Sequence, residues 1–423
     1  MPKKTINIIL AVLLASILFF LIYFFFFRSV AEDPEILDRE ELFDPFGEPF
    51  PSTTLDDFIN ENQFQIEFDG DSRLKKITGE PVSGFNIFLR EFDDGQESEK
   101  QVVFKYVERA TGHIYLTTFD YEENRRISNI TTPKIHESIF LNDGDEVIYR
   151  FLSEEDQETI KTYKTTFDFG ESADSEENVA VKTSSSFFID NLTQLIKSND
   201  GKLFGLISNK SNSGFNSLGF LINTEDVSDV DVILNSQISE WRGQWVGENR
   251  IALTTRSSYK AEGYSYILDL NTGLFLRDLG PIQGLNTVYS PDGRYVLYSS
   301  STENGTATAI YNRETNMETR SIVRTIADKC SWSSDSINLY CATSMIFPSG
   351  VPDDWYKGLV DFNDTIVSYN MEEGEIQILN QFDENLVPSL DIVNIKISED
   401  KDFILFQNKN DLSLWAYDLR VSD

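Results

Sequence analysis

Between residues 137 and 407 the chain writes one pattern six times: an apolar strand, a polar turn carrying Asp, Asn or Gly, then a second apolar strand. The copies are ESIFLNDGDEVIYRF (137–151), LIKSNDGKLFGLIS (195–208), GQWVGENRIALTT (243–255), NTVYSPDGRYVLYSS (286–300), KCSWSSDSINLYCAT (329–343) and VNIKISEDKDFILFQ (393–407). Gly and Asn tolerate the positive φ of a tight hairpin turn, so each copy reads as a hairpin. With Asp143, Asp200, Gly247, Asp292, Asp335 and Asp400 as markers, the spacings are 57, 47, 45, 43 and 65 residues. A period of about 45 residues with insertions is that of a β-propeller blade, a unit that buries its faces only by stacking on its neighbours.

The residues between markers complete each blade. YSYILDLNTGLFLRDLG (264–280), TAIYNRETNMETRSI (308–322) and TIVSYNMEEGEIQIL (365–379) each read as a third strand, a turn and a fourth strand. Tyr295-Val296-Leu297-Tyr298 is apolar on both faces, as a strand sandwiched between blades must be. The earliest copy lacks a clear marker, but VVFKYVERATGHIYLTTFDYEENRRIS (102–128) supplies its later strands. The last copy stops at DLSLWAYDLR (411–420), one strand short. RLKKIT (73–78) supplies that strand from the N-terminal side and leaves no open edge. The expected fold is all-β: a seven-bladed β-propeller over 70–423, with six or eight blades as the alternatives.

Thr5 to Phe27 contain no charge. As a helix they are about 34 Å long, enough to cross a hydrocarbon core of about 30 Å. Lys3 and Lys4 precede the span, and Glu32, Asp33, Glu35 and Asp38 follow it. The positive-inside rule therefore sets 1–4 as a cytoplasmic tip, 5–27 as an N-terminal transmembrane helix and the rest outside, with Arg28 in dissent. Ser29-Val30-Ala31 offers a cleavage site as the alternative, but the apolar run is longer than a usual signal peptide's. Residues 28–69, acidic and proline-bearing, read as a stalk.

The chain has 36 Lys and Arg against 70 Asp and Glu, a net charge of −34. Nucleic acid and anionic lipid need clustered cations, so both are argued against, and membrane contact is expected through 5–27 only. Cys330 and Cys341 flank the turn of CSWSSDSINLYC almost symmetrically. A tight hairpin sets such residues opposite one another, near bridging distance. Outside the cytoplasm a disulfide is expected, with a reduced pair as the alternative.

The turn Ser290-Pro291-Asp292-Gly293 resembles that of the TolB-type, WD-repeat-like propellers, whose blades carry it between first and second strands. Asn199-Asp200-Gly201 and Asn142-Asp143-Gly144 are partial copies. The chain is also similar to a group of single-pass envelope proteins of small-genome bacteria, through YVERATGHIY (106–115), RISNITTPKI (126–135) and PDDWYKG (352–358). That likeness implies an anchored propeller and no particular activity.

Little in the sequence points to turnover. The only histidines are His113 and His136, and GYSYI (263–267) lacks the second glycine of a nucleophile elbow. Two histidines argue against triad chemistry and histidine-based zinc sites. No cofactor is implied. Calcium is the one ion with candidate ligands, in EFDGDSR (67–73) and DFNDT (361–365), and neither has the full spacing of a calcium loop. Asp353 and Asp354 are the most suggestive acid pair, which makes a carboxylate-dependent glycan-active enzyme the alternative function.

The largest insertion, SMIFPSGVPDDWYKGLVDFND (344–364), falls between the second and third strands of the sixth blade. Loops of that kind share a face with the connections between blades, and insertions mark working faces. The insertion carries Phe347, Trp355, Tyr356 and Lys357, anchors for a protein or glycan if exposed. The other reading folds Trp355 back to plug the central channel or to cover a blade edge. Arg109, Arg256, Tyr259, Lys260 and Arg324 fall on the same face, either focusing an anionic or peptide ligand or serving as ordinary surface residues. The expected function is binding or scaffolding of an envelope protein or glycan without turnover, with a purely structural surface component as a further alternative. Oligomeric state is not legible in the sequence.

Overall fold

Seven antiparallel sheets of four strands each follow one another along the chain. The computed structural model describes residues 73–420 apart from 94–97, 121–123, 129–130, 169–181, 199, 212–213, 224–229, 321–322 and 381–388. The stretches read as a transmembrane helix (5–27) and a stalk (28–69) lie outside the described residues, as does EFDGDSR except for Arg73. Among the described residues no helix is long and apolar enough to cross a membrane.

The blades begin with the strands Val82–Asp93, Glu137–Leu141, Leu192–Lys197, Trp241–Val246, Asn286–Tyr289, Cys330–Trp332 and Ile392–Ile397. These first strands face one another around the axis and form the wall of a central channel. Each hairpin marker falls between a first and a second strand, and the expected count of seven blades holds. The opening blade is completed by Ser98–Glu108, Ile114–Thr117 and Arg125–Arg126. In the last blade Leu74–Thr78 pairs antiparallel with Leu414–Asp418. Asp418 N–H donates to the Arg73 carbonyl at 2.8 Å, so the first and last described strands close one sheet.

Apolar residues on both faces of the second strands become core between blades. Phe403–Asn408 is buried at every position. Phe85, Phe104 and Tyr106 of the first blade pack on Phe403, Leu405 and Leu414 of the last. Leu297 and Ile310 of the fifth meet Trp332, Leu339 and Val367 of the sixth. Cys330 and Cys341 sit opposite one another in the sixth blade, with Cα atoms 4.1 Å apart, and are disulfide-bonded.

The wall strands leave backbone groups unpaired toward their neighbours, and side chains close these gaps. Gln194 exchanges hydrogen bonds with the backbone of Gly243, and Gln244 with that of Tyr289. Trp332 Nε1 donates to the Val288 carbonyl at 3.2 Å. At Gly84 the first and second blades approach so closely that a Cβ would lie 2.0 Å from the Ser138 carbonyl oxygen.

The turn at Ser290 explains its own sequence. Ser290 Oγ donates to Asp292 Oδ1 at 2.6 Å and accepts from Tyr295 N–H at 2.9 Å. Asp292 Oδ1 also accepts from Arg294 N–H, and Gly293 takes φ 74°. Ser198 with Asp200, Ser333 with Asp335 and Ser398 with Asp400 repeat the serine–aspartate bond. The motif that repeats is therefore Ser-x-Asp, in four blades, and not the full Ser-Pro-Asp-Gly.

Candidate functional site: a capped central channel

The insertion in the sixth blade contains a one-turn helix, α1 (Asp353–Tyr356). Of its two readings the structure has the second. Trp355 is 3% exposed and packs among Ile326, Phe347, Val351 and Phe362 over one end of the channel. It is no free anchor for a partner, because its indole is the partner of a buried carboxylate. Trp355 Nε1 donates to both oxygens of Asp391, at 3.1 and 2.8 Å.

Asp391 belongs to a group that the sequence reading missed. Lys329, Asp364 and Asp391 are each 0% exposed at the side chain. Lys329 Nζ lies 2.6 Å from Asp364 Oδ2 and is also paired with Asp391 Oδ1. Lys409 Nζ stands 3.8 Å from Asp391 Oδ2, which brings the quartet to two cations and two anions. The Phe362 and Trp355 rings stand over Lys329, with centroids 4.7 and 5.1 Å from its amine. Ile392 N–H donates to Asp364 Oδ2 at 2.7 Å, while Asp364 Oδ1 has no hydrogen-bond partner. Burial pushes the Asp364 carboxyl up to about 6 against the pull of Lys329. Of the two acids of DFNDT, Asp361 and Asp364, it is Asp364 whose carboxylate faces Lys329. Burying one charge is costly, and this balanced set pins Trp355 and the C-terminal end of the cap to the ring.

A second network ties Tyr356 to the wall. Its hydroxyl donates to Asp328 Oδ2 at 2.6 Å and accepts from Asn286 Nδ2 and Arg242 Nη1, each at 2.6 Å. Arg242 is also paired with Asp328. Burial and the Asp328 charge raise the Tyr356 phenol far above its ordinary range.

The remaining predicted residues do not converge. Asp353 accepts from Ser258 Oγ at 3.1 Å and from Tyr259 N–H, which fastens the cap to the loop of the fourth blade. Asp354 sits against Gly350, where an added Cβ would lie 2.3 Å from its Oδ2. Neither acid is among the residues lining the two channel cavities. Lys260 stands over the Tyr259 ring at 5.7 Å, and Lys357 is exposed. Arg256 pairs with Glu240 at 2.9 Å. Arg324 donates to the Thr306 and Asn304 carbonyls. Arg109, on the first blade, bonds His136 Nδ1 at 2.8 Å. These cations are held separately by their own blades and form no common focus.

The cap exposes large apolar side chains beside polar ones such as Lys357 and Asp361. Met345 is 57% exposed, Ile346 76% and Leu359 71%, all within the insertion. Beneath the cap a cavity of about 410 Å³ is bounded by Trp355, Tyr356, Arg242, Asp328, Asn394 and Lys409, among others. A second, of about 380 Å³, runs toward the hairpin-turn face past Lys197, Trp245 and Pro291. The two share Gln194, Gly243, Gln244 and Val288.

No protein-family model and no curated protein matches the sequence. Among solved structures, oligogalacturonate lyase from Vibrio parahaemolyticus is 11% identical, with a TM-score of 0.47, over 80% of this chain and 98% of its own. The β-propeller domain of the Trilobed protease from Pyrococcus furiosus is 11% identical, with a TM-score of 0.47, over 79% and 94%. TolB from Acinetobacter baumannii is 13% identical, with a TM-score of 0.41, over 69% of this chain and 65% of its own. The seven blades rest on the sheet order of the chain itself.

Proposed function

We propose that the chain is a binding or scaffolding module of the cell envelope that works without turnover. Its anchor is residues 5–27, its propeller lies outside the cytoplasm, and its partner is an envelope protein or glycan. The observation that carries this reading is the cap. A segment pinned from below by the Lys329 quartet and the Tyr356 network presents Met345, Ile346 and Leu359 to solvent. Exposed aliphatic side chains on a fixed base are suited to docking, because little conformational freedom is lost when they are covered. The docking residues are therefore these aliphatics, with Lys357 beside them, and Trp355 and Tyr356 act only by holding them.

The test incubates the purified full-length chain with the envelope protein and glycan fractions of its source and measures both retained material and released products. Retention with the glycan chain lengths unchanged is the expected result. Shortened glycans would replace this reading with the carboxylate-dependent enzyme.

A further inference from the structure

We propose that Lys329 and Asp364 are the site of a self-made covalent cross-link, an amide between the lysine amine and the aspartyl carboxyl, formed in the folded chain with loss of one water. Lys329 Nζ lies 2.6 Å from Asp364 Oδ2, and an amine bonded to a carboxyl oxygen stands against the carbon behind it. The backbone holds both partners: Asp364 N–H donates to the Leu390 carbonyl at 2.9 Å and Lys329 N–H to that of Ile326 at 2.8 Å. Fixing two reactants in this way replaces the encounter that the free groups would need. Both side chains are fully buried, with the Phe362 and Trp355 rings over the amine. Water, which opposes condensation, is kept out. The ion pair buries two charges where the amide buries none, so the enclosure that penalises the first favours the second. Asp364 Oδ1 is buried and without a hydrogen-bond partner among the described residues, so its departure breaks no contact. Oδ2 accepts from Ile392 N–H at 2.7 Å, a donor placed for an oxyanion.

Asp391 supplies the base. Its carboxylate is paired with Lys329, held by Trp355 Nε1 at both oxygens and faced by Lys409 at 3.8 Å. Asp328, next to Lys329 in sequence, is taken by Arg242 and Tyr356. With Asp364 neutral, Asp391 takes a proton from the ammonium, and the freed Nζ electron pair attacks Asp364 Cγ. The C–N bond forms as the carbonyl electrons move onto Oδ2. When they return, the Cγ–Oδ1 bond breaks and the hydroxyl leaves as water with a proton relayed from Nζ by Asp391. Of the four protons that start on the amine and the carboxyl, two leave in the water, one stays on the amide and one on Asp391. Nothing is oxidised or reduced. Burial holds the Asp364 carboxyl neutral up to about pH 6, so condensation slows above that value. A chain not yet condensed keeps the ion pair and the titration of Asp364, and a condensed chain has neither.

Incubation of the purified full-length chain at pH 5 and at pH 8, on either side of the Asp364 value of about 6, tests the proposal by tryptic mapping. Trypsin should no longer cut after Lys329, so that 325–357 and 358–396 run as one branched species lighter by one water, with fragment spectra placing the branch at Asp364. Wild type is expected to accumulate it at least ten-fold faster at pH 5 than at pH 8 and not at all in urea. Lys329→Met should lack it, and Asp391→Asn, which keeps both reacting groups, should form it at least ten-fold more slowly. The wild-type maps decide the matter if a variant fails to fold. No branched species, a branch at another acid, equal formation in urea, equal rates at the two pH values or undiminished formation by Asp391→Asn would each overturn the proposal. So would a water loss confined to Asp-Gly pairs such as Asp200-Gly201, which close to a cyclic imide without any lysine.

Discussion

Replacing Lys329 with Met takes from Asp364 the one cation paired with it among the described residues, at 2.6 Å, and leaves its Oδ2 the Ile392 N–H. Asp391 keeps the Trp355 indole and Lys409, so Asp364 is the group left exposed to the full cost of burial. Breaking such a pair costs about 3–5 kcal/mol. The loss should carry a pH signature that fixes its cause. In wild type Asp364 can ionise above about pH 6, because Lys329 compensates it. In the variant it stays buried only when protonated, at about 1.4 kcal/mol for each pH unit above that value. The destabilisation should therefore be about 2 kcal/mol larger at pH 8 than at pH 6. Urea unfolding of the full-length protein and the variant at both pH values measures the difference. Equal losses at the two pH values, or a loss below about 1 kcal/mol at pH 8, would refute the quartet as the cap's fastening.

Two further outcomes are expected from the same network. Asp364 has its folded pKa raised to about 6 by burial, so the folded state holds more protons than the unfolded chain between about pH 4 and that value. Its contribution to stability is fully present below about pH 4 and falls as pH rises through 6, by up to about 3 kcal/mol. In Asp364→Asn that fall should vanish, and unfolding midpoints of the two proteins at pH 4 and pH 7 would show a pH-independent difference if the idea is wrong. Trp355→Phe keeps the ring but removes the N–H shared by the Asp391 oxygens, and should cost about 1–3 kcal/mol by chemical denaturation. A change within about 0.5 kcal/mol would mean the indole only fills space.

The ring was legible because its cause is local. Each Ser-x-Asp or Gly-bearing turn is closed by side chains one to five residues away, as Ser290, Asp292 and Tyr295 show. Strands such as Tyr295–Thr302 announce two-sided burial by their composition. The cap was placed correctly in the chain, yet the sequence left two orientations for Trp355. What decides between them is Asp391, which follows it by 36 residues and sits beside no recognisable motif. Lys329 and Asp364 are likewise brought together only by the folded ring. No local signal marked Lys329, which follows the acid Asp328 directly in IADKC (326–330). Arg109, Arg256 and Arg324 share a face by topology, but each has a partner within its own or a neighbouring blade connection. The exposed aliphatics were missed for the opposite reason, since Met345, Ile346 and Leu359 look like core residues until the core is seen to close without them.

The most direct measurement is quantitative capture from source membranes by the full-length chain and by its Met345→Ser/Ile346→Ser/Leu359→Ser variant, with retained proteins and glycans counted by mass spectrometry. All three positions are exposed, so the variant should match wild-type stability to within about 0.5 kcal/mol. A binding module that docks through its cap predicts one or more species retained by wild type and depleted at least ten-fold by the variant. Identical retention by two equally stable proteins would contradict it.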